Sequence, residues 1–166
     1  ANSQATIKNT IQKTPYFVKA KNEAIFEKNN VSVQIPENAF YNNFYLNFDV
    51  NGDVLTLHDD SVPVHKNITI TFNDVQGLTE EQLAKTYIAS LDGYKLDYNK
   101  TYRKGNTFSI KTKTLGKYKL AQDVTPPRIY NVNFVEGKTL STQKTISVSV
   151  TDLQSDINTY NGYLNG

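Results

Sequence analysis

The run Phe44-Tyr45-Leu46-Asn47-Phe48-Asp49-Val50-Asn51-Gly52-Asp53-Val54-Leu55-Thr56-Leu57 decides the fold class. Apolar residues recur at every second position on both sides of Asn51-Gly52, the period of a strand with one buried face. Asn-Gly between two such runs is a strong hairpin signal, because both residues tolerate the positive φ of a type I′ turn. A tight hairpin with its loop at Asn51-Gly52 is therefore expected.

Outward from this hairpin the same period continues. Upstream, Tyr16-Phe17-Val18 is a short strand, and Ala24-Ile25-Phe26 and Val31-Ser32-Val33-Gln34-Ile35 flank the polar turn Glu27-Lys28-Asn29-Asn30 before Pro36 ends the second run. Downstream, Val62-Pro63-Val64 leads into the alternating strand Asn67-Ile68-Thr69-Ile70-Thr71-Phe72, with Pro63 suited to an edge or a strand start. Thr79-Glu80-Glu81-Gln82 fits a capping box, so one or two helical turns are expected as far as about Lys85. Strands resume at 86–91, turn at Asp92-Gly93, and continue at 94–98, 107–112 and 118–120. Many short strands at near-regular spacing indicate an all-β sandwich or barrel.

Asp123-Val124-Thr125-Pro126-Pro127 interrupts the pattern. Two prolines remove two backbone donors and fix two φ angles, which leaves a stiff extended connector. The expected organisation is a polar linker at 1–14, a β-sandwich at 15–122, a hinge at 123–127 and a second β unit at 128–166. In that unit 129–134, 144–152 and 157–164 read as three strands, whereas an immunoglobulin-like sandwich has about seven. A truncated immunoglobulin-like unit with open strand edges follows, and such edges are able to pair with another copy.

Composition narrows the function. Of 166 residues, 18 are basic and 16 acidic, and their near-even spread gives no field to hold a phosphate backbone, so nucleic acid is not expected as a partner. No apolar run approaches the roughly 20 residues of a membrane span. The absence of cysteine excludes disulfides, thiolate metal sites and cysteine nucleophiles, and it fits a location outside the cytoplasm. The chain also lacks methionine, even at position 1, which implies a processed or excised piece of something longer.

Candidate chemistry is sparse. His58 and His65 could form a zinc site with Asp59 or Asp60 if they met across a turn, although no recognised ligand spacing accompanies them; the plainer reading is two solvated histidines at strand ends. Asp49-Val50-Asn51-Gly52-Asp53 has the outline of a calcium loop without its closing Glu, and Asp152 with Asp156 is a second carboxylate pair that also reads as turn caps. No nucleophile elbow or phosphate loop is present, so the chain reads as non-catalytic and without a cofactor of its own. Tyr87, Tyr94, Tyr98 and Tyr102, interspersed with Lys95, Lys100, Arg103 and Lys104, could stack on sugars or grip a partner; alternatively they fill the core.

Several segments resemble, in order, the region behind the catalytic domain of lysostaphin-like (LytM-type) zinc endopeptidases of Gram-negative envelopes. They are 31–46, Pro63-Val64, Tyr87-Ile88-Ala89-Ser90, 112–118, Pro126-Pro127-Arg128-Ile129 and 148–152 with Ser155-Asp156-Ile157 and Leu164-Asn165-Gly166. The sequence departs from the family at Asp156, where glycine is frequent. The motif Val33-Gln34-Ile35-Pro36-Glu37-Asn38-Ala39-Phe40 is also similar to the β-sandwich module of ankyrins and netrin receptors. The resemblance implies a non-catalytic accessory region of a secreted or envelope peptidoglycan-type endopeptidase, in contact with a cell-wall polymer or an envelope protein. The zinc would lie upstream, because neither His-x-x-x-Asp nor His-x-His occurs here. The rival expectation is a self-standing adhesive or carbohydrate-binding module.

Overall fold

The computed structural model describes residues 13–137, 139, 141–152, 154, 157 and 159–163. Fourteen strands and one short helix make up their regular structure. Two five-stranded antiparallel sheets form a β-sandwich. The first has the order β10 (Tyr102–Lys104), β11 (Thr107–Thr112), β7 (Ile68–Phe72), β3 (Val31–Ile35), β2 (Ala24–Lys28). The second has the order β5 (Phe48–Asn51), β6 (Val54–Leu57), β12 (Gly116–Gln122), β8 (Thr86–Asp92), β9 (Lys95–Tyr98).

Alternation in the sequence becomes rows of side chains across each sheet. Val33 lies opposite Ile70, which lies opposite Ile110; the next row is Val31, Phe72 and Phe108. In the facing sheet Val50, Leu55 and Tyr118 form the matching row. All of these are buried in one apolar cluster between the sheets. Burying each large aliphatic side chain contributes about 1.5–3 kcal/mol, so these rows fix the register as well as the stability.

The hairpin at 44–57 differs from expectation in two respects. Its first strand is broken: β4 (Phe44–Tyr45) pairs instead with β1 (Phe17–Val18), and β5 begins only at Phe48. The loop is Gly52-Asp53 and not Asn51-Gly52, because Asn51 pairs with Val54. Gly52 has φ +60 and Asp53 is not among the positive-φ residues, the pattern of a type II′ turn. The hairpins at Asn29-Asn30, Gly93-Tyr94 and Gly105-Asn106 likewise have positive φ at their first loop residue alone. Gly52→Ala is expected to cost about 1–2 kcal/mol through the left-handed backbone, and a thermal melt should show the loss.

Both open sides of the sandwich are closed. On one, the Tyr16 ring packs edge-on against Phe26 (5.5 Å) and Phe48 (5.1 Å), and Lys28 Nζ meets Asp49 Oδ1 at 2.5 Å. On the other, the β9–β10 connection serves β8 beyond the end of β9: the Ile88 N–H donates to Thr101 Oγ1 (2.9 Å) and Asn99 Nδ2 donates to the Ile88 carbonyl (3.2 Å). These side chains satisfy backbone groups that a longer β9 would have paired.

Helix α1 (Glu80–Ala84) has the expected capping box. The Gln82 N–H donates to Thr79 Oγ1 (3.3 Å), and the Thr79 N–H donates to Gln82 Oε1 (2.8 Å). Arg103 on β10 reaches both Glu80 oxygens, at 2.7 and 2.8 Å, and ties the helix to the first sheet. No helix among the described residues is long and apolar enough to cross a membrane.

Beyond the hinge the expected strands are shorter. β13 (Arg128–Tyr130) and β14 (Ser149–Thr151) pair over three residues each, and the described residues from 157 onward carry no strand. The cause is Asn131, whose φ of 51° breaks the pleat. One backbone bond remains, from the Asn133 N–H to the Ser147 carbonyl (3.3 Å), and side chains supply the rest: Asn133 Oδ1 accepts from the Ser147 N–H (2.8 Å), and Gln143 Nε2 donates to the Asn133 and Thr145 carbonyls (3.0 and 2.9 Å).

Candidate functional site

A concavity of about 980 Å³ lies where the second sheet meets the hinge. Ile88 of β8 faces the core, so Tyr87 on the same strand faces outward, yet Tyr87 is buried. Tyr98 of β9 lies opposite Ala89, on the same outer face, and its ring centroid is 5.2 Å from that of Tyr87. Lys100, Thr101, Pro126, Pro127, Asp152 and Ile157 also line the groove. Burial pushes the Tyr87 hydroxyl above the usual tyrosine range, and the Asp123 carboxylate and Tyr98 add to the shift.

The hinge that forms one wall is held at both ends. The Asp123 N–H donates to the Lys85 carbonyl at the end of α1 (2.9 Å). The Thr125 N–H donates to Asp123 Oδ1 (3.0 Å), and the N–H groups of Val124 and Thr125 both reach Gln154 Oε1, at 3.2 and 3.1 Å. With Pro126 and Pro127 offering no donors, one glutamine side chain accepts from the last two amides before them, sharing that of Thr125 with Asp123.

The four tyrosines do not converge. Tyr87 and Tyr98 share the groove, but Tyr94 is the second residue of the β8–β9 turn and fully exposed, and Tyr102 is an exposed residue on β10, in the other sheet. Their closeness in sequence hides a crossing between sheets.

The histidines are engaged separately. His58 has φ 54°; its N–H donates to the Asn47 carbonyl (2.6 Å), and its Nδ1 accepts the Asn47 N–H (3.1 Å), so the ring extends the β5–β6 ladder by one pair. His65 Nδ1 lies 3.3 Å from the Tyr41 hydroxyl. The Asp59 carboxylate caps Ser61, whose hydroxyl and N–H it accepts and which hold it below the usual carboxylate range. Among the described residues no group of three His, Cys, Asp or Glu side chains is placed to hold a metal ion.

Asp49 and Asp53 are drawn to different cations. Lys28 bonds Asp49, Lys119 bonds Asp53 at 2.7 Å, and each lysine lowers the pKa of its partner. Asp152 caps the Gln154 N–H at 2.9 Å, which helps to orient the side chain that holds the hinge. Asp156 lies outside the described residues.

Sequence reasoning missed one structural tyrosine. Tyr118 Oη donates to the Thr114 carbonyl four residues upstream at 2.6 Å, with Thr112 Oγ1 at 3.5 Å, a tyrosine-corner arrangement at the start of β12. The signal available was Leu115-Gly116 before an alternating strand; Gly116 has φ +136, and the chain turns there.

A family model, the Zu5-like domain, matches residues 15–123, well over half of the chain. The chain belongs to the Zu5-like domain family. The Zu5-like domain thus spans both sheets and α1 and ends at Asp123, where the hinge begins. Neither the curated proteins nor the solved structures provide a match. The Val33–Phe40 motif lies inside the matched span, and its Ile35, Ala39 and Phe40 are buried in the core of the Zu5-like domain.

Proposed function

We propose that residues 1–166 serve as a non-catalytic accessory region of a secreted or envelope zinc endopeptidase of the lysostaphin-like kind. The region positions that enzyme outside the cytoplasm, in contact with a cell-wall polymer or an envelope protein. The supporting observation is the held hinge: Lys85 on one side and Gln154 on the other set the segment after the sandwich at a fixed approach. A rigid joint is what a spacer needs to present a neighbouring domain in a repeatable direction. On this reading the zinc of such an enzyme lies in an upstream domain, because neither His-x-x-x-Asp nor His-x-His occurs in this sequence.

A second reading, a self-standing adhesive or carbohydrate-binding module, draws on the Tyr87–Tyr98 pair in the groove. The open reading frame on both sides separates the two. An upstream domain with His-x-x-x-Asp and His-x-His supports the accessory role, and a frame without them supports the module.

Gln154→Ala removes the acceptor of two hinge amides and is expected to broaden the range of distances between the units, measured by small-angle scattering. An unchanged distribution contradicts the held hinge. The exposed Ile129, Val132, Ile146 and Val148 on and near β13 and β14 support the reading that these strand edges pair with another copy. Light scattering at high concentration should then show a dimer, and a persistent monomer counts against that pairing.

A further inference from the structure

A second, smaller cleft of about 370 Å³ lies away from the hinge groove, between the turn at 19–22 and the loop at 41–43. Three hydrogen bonds shape it. The Asn22 N–H closes the turn on the Lys19 carbonyl (3.0 Å), the Ala20 N–H donates to Asn43 Oδ1 (2.8 Å), and the Asn38 N–H donates to the Ala20 carbonyl (2.8 Å). The cleft is therefore held by the backbone, not by chance contact of surface side chains.

Its lining combines three chemistries. Tyr41 is 68% exposed, although its hydroxyl lies 3.3 Å from His65 Nδ1, so an apolar ring face is open to solvent while the ring is kept in one orientation. Asn22 and Asn42 contribute exposed amides. Lys19 and Lys21, like most of the described lysines, form no ion pair with a described residue, so both charges at the cleft are open to a ligand.

We infer that this cleft binds an acidic glycan, a chain of pyranose rings carrying free carboxylates. The Tyr41 face packs on the apolar side of one ring, the Asn22 and Asn42 amides serve hydroxyl or acetamido groups, and Lys19 and Lys21 meet the carboxylate. A peptide anion can use the lysines and the amides as well, but the open Tyr41 ring favours the flat apolar face of a pyranose. The inference locates the wall-polymer contact proposed above and rests on that reading.

The test uses the full chain and two soluble probes: glycan strands of alternating N-acetylglucosamine and N-acetylmuramic acid freed of their peptides, and neutral N-acetylglucosamine oligomers. Titration calorimetry should show binding of the acidic strand that weakens with salt, and Tyr41→Ala should reduce the affinity about tenfold or more. Lys19→Gln with Lys21→Gln should abolish the preference for the acidic strand, with the circular dichroism spectrum of each variant unchanged. Equal binding of the neutral oligomers overturns the acidic class. A wild-type chain that pellets with whole sacculi to the same extent as Tyr41→Ala overturns the cleft and leaves the wall-contact reading intact; one that does not pellet at all overturns the cleft and the wall contact together, and leaves the envelope-protein contact as the accessory reading.

Discussion

Ile70→Ala is expected to destabilise the sandwich by about 2–5 kcal/mol, the range for removing a buried branched side chain and leaving part of its volume empty. Ile70 is fully buried at the middle of β7, the central strand of its sheet, with Val33 on one side and Ile110 on the other. Three strands meet at this position, so no single neighbour can fill the space without moving a row. Domains have only about 5–15 kcal/mol of stability in total. The variant should therefore show a large fall in its denaturation midpoint by circular dichroism, with the slope of the transition unchanged. A loss below about 1 kcal/mol would mean that the two sheets are not packed as described.

Tyr118→Ala should cost on the order of 3–5 kcal/mol, as for other buried aromatic rings, and Tyr118→Phe should cost about 1 kcal/mol, the net worth of one hydrogen bond. The difference separates the ring, which is buried opposite Leu55, from the hydroxyl, which ties β12 to the Thr114 carbonyl. Burial raises the pKa of this hydroxyl above the usual tyrosine value, against a smaller opposite effect of Thr112. A group whose pKa is raised in the folded state contributes stability that is complete below its unfolded pKa, about 10 for tyrosine, and is lost as pH rises through the folded value. Alkaline unfolding should therefore begin above about pH 10 in the wild type and be less steep in Tyr118→Phe. Identical alkaline transitions in the two proteins would contradict this account of the corner.

Much of the sandwich was legible because its strands alternate, and the capping box announced α1. What was not legible depended on partners. An Asn51-Gly52 loop would set Asp53 opposite Val50 on the core face; the observed register places Leu55 there and frees Asp53 to reach Lys119. Burial of a carboxylate against Val50 costs more than a type I′ turn gains, so the core chose the turn. β10 has no alternation to read, since Tyr102, Arg103 and Lys104 are all exposed and only pairing with β11 makes them a strand. Asn131 and the side chains of Asn133 and Gln143 ended the ladder in the last unit, and a local pattern of Ile, Val and Phe could not foretell that.

The candidate sites show the same limit. Tyr87 and Tyr98 meet because Ala89 pairs with Tyr98, a register fact, while Tyr94 and Tyr102 are removed by a turn and by a change of sheet. The cleft at Tyr41 joins segments some twenty residues apart through Asn43, a contact that neither segment signals alone.

The proposed wall contact is tested most directly by cosedimentation of the purified chain with peptidoglycan sacculi. The account predicts that the chain pellets with the sacculi in a salt-sensitive manner and releases no soluble fragments from them. A chain that remains in the supernatant at low salt, or one that solubilises the sacculi, would contradict it.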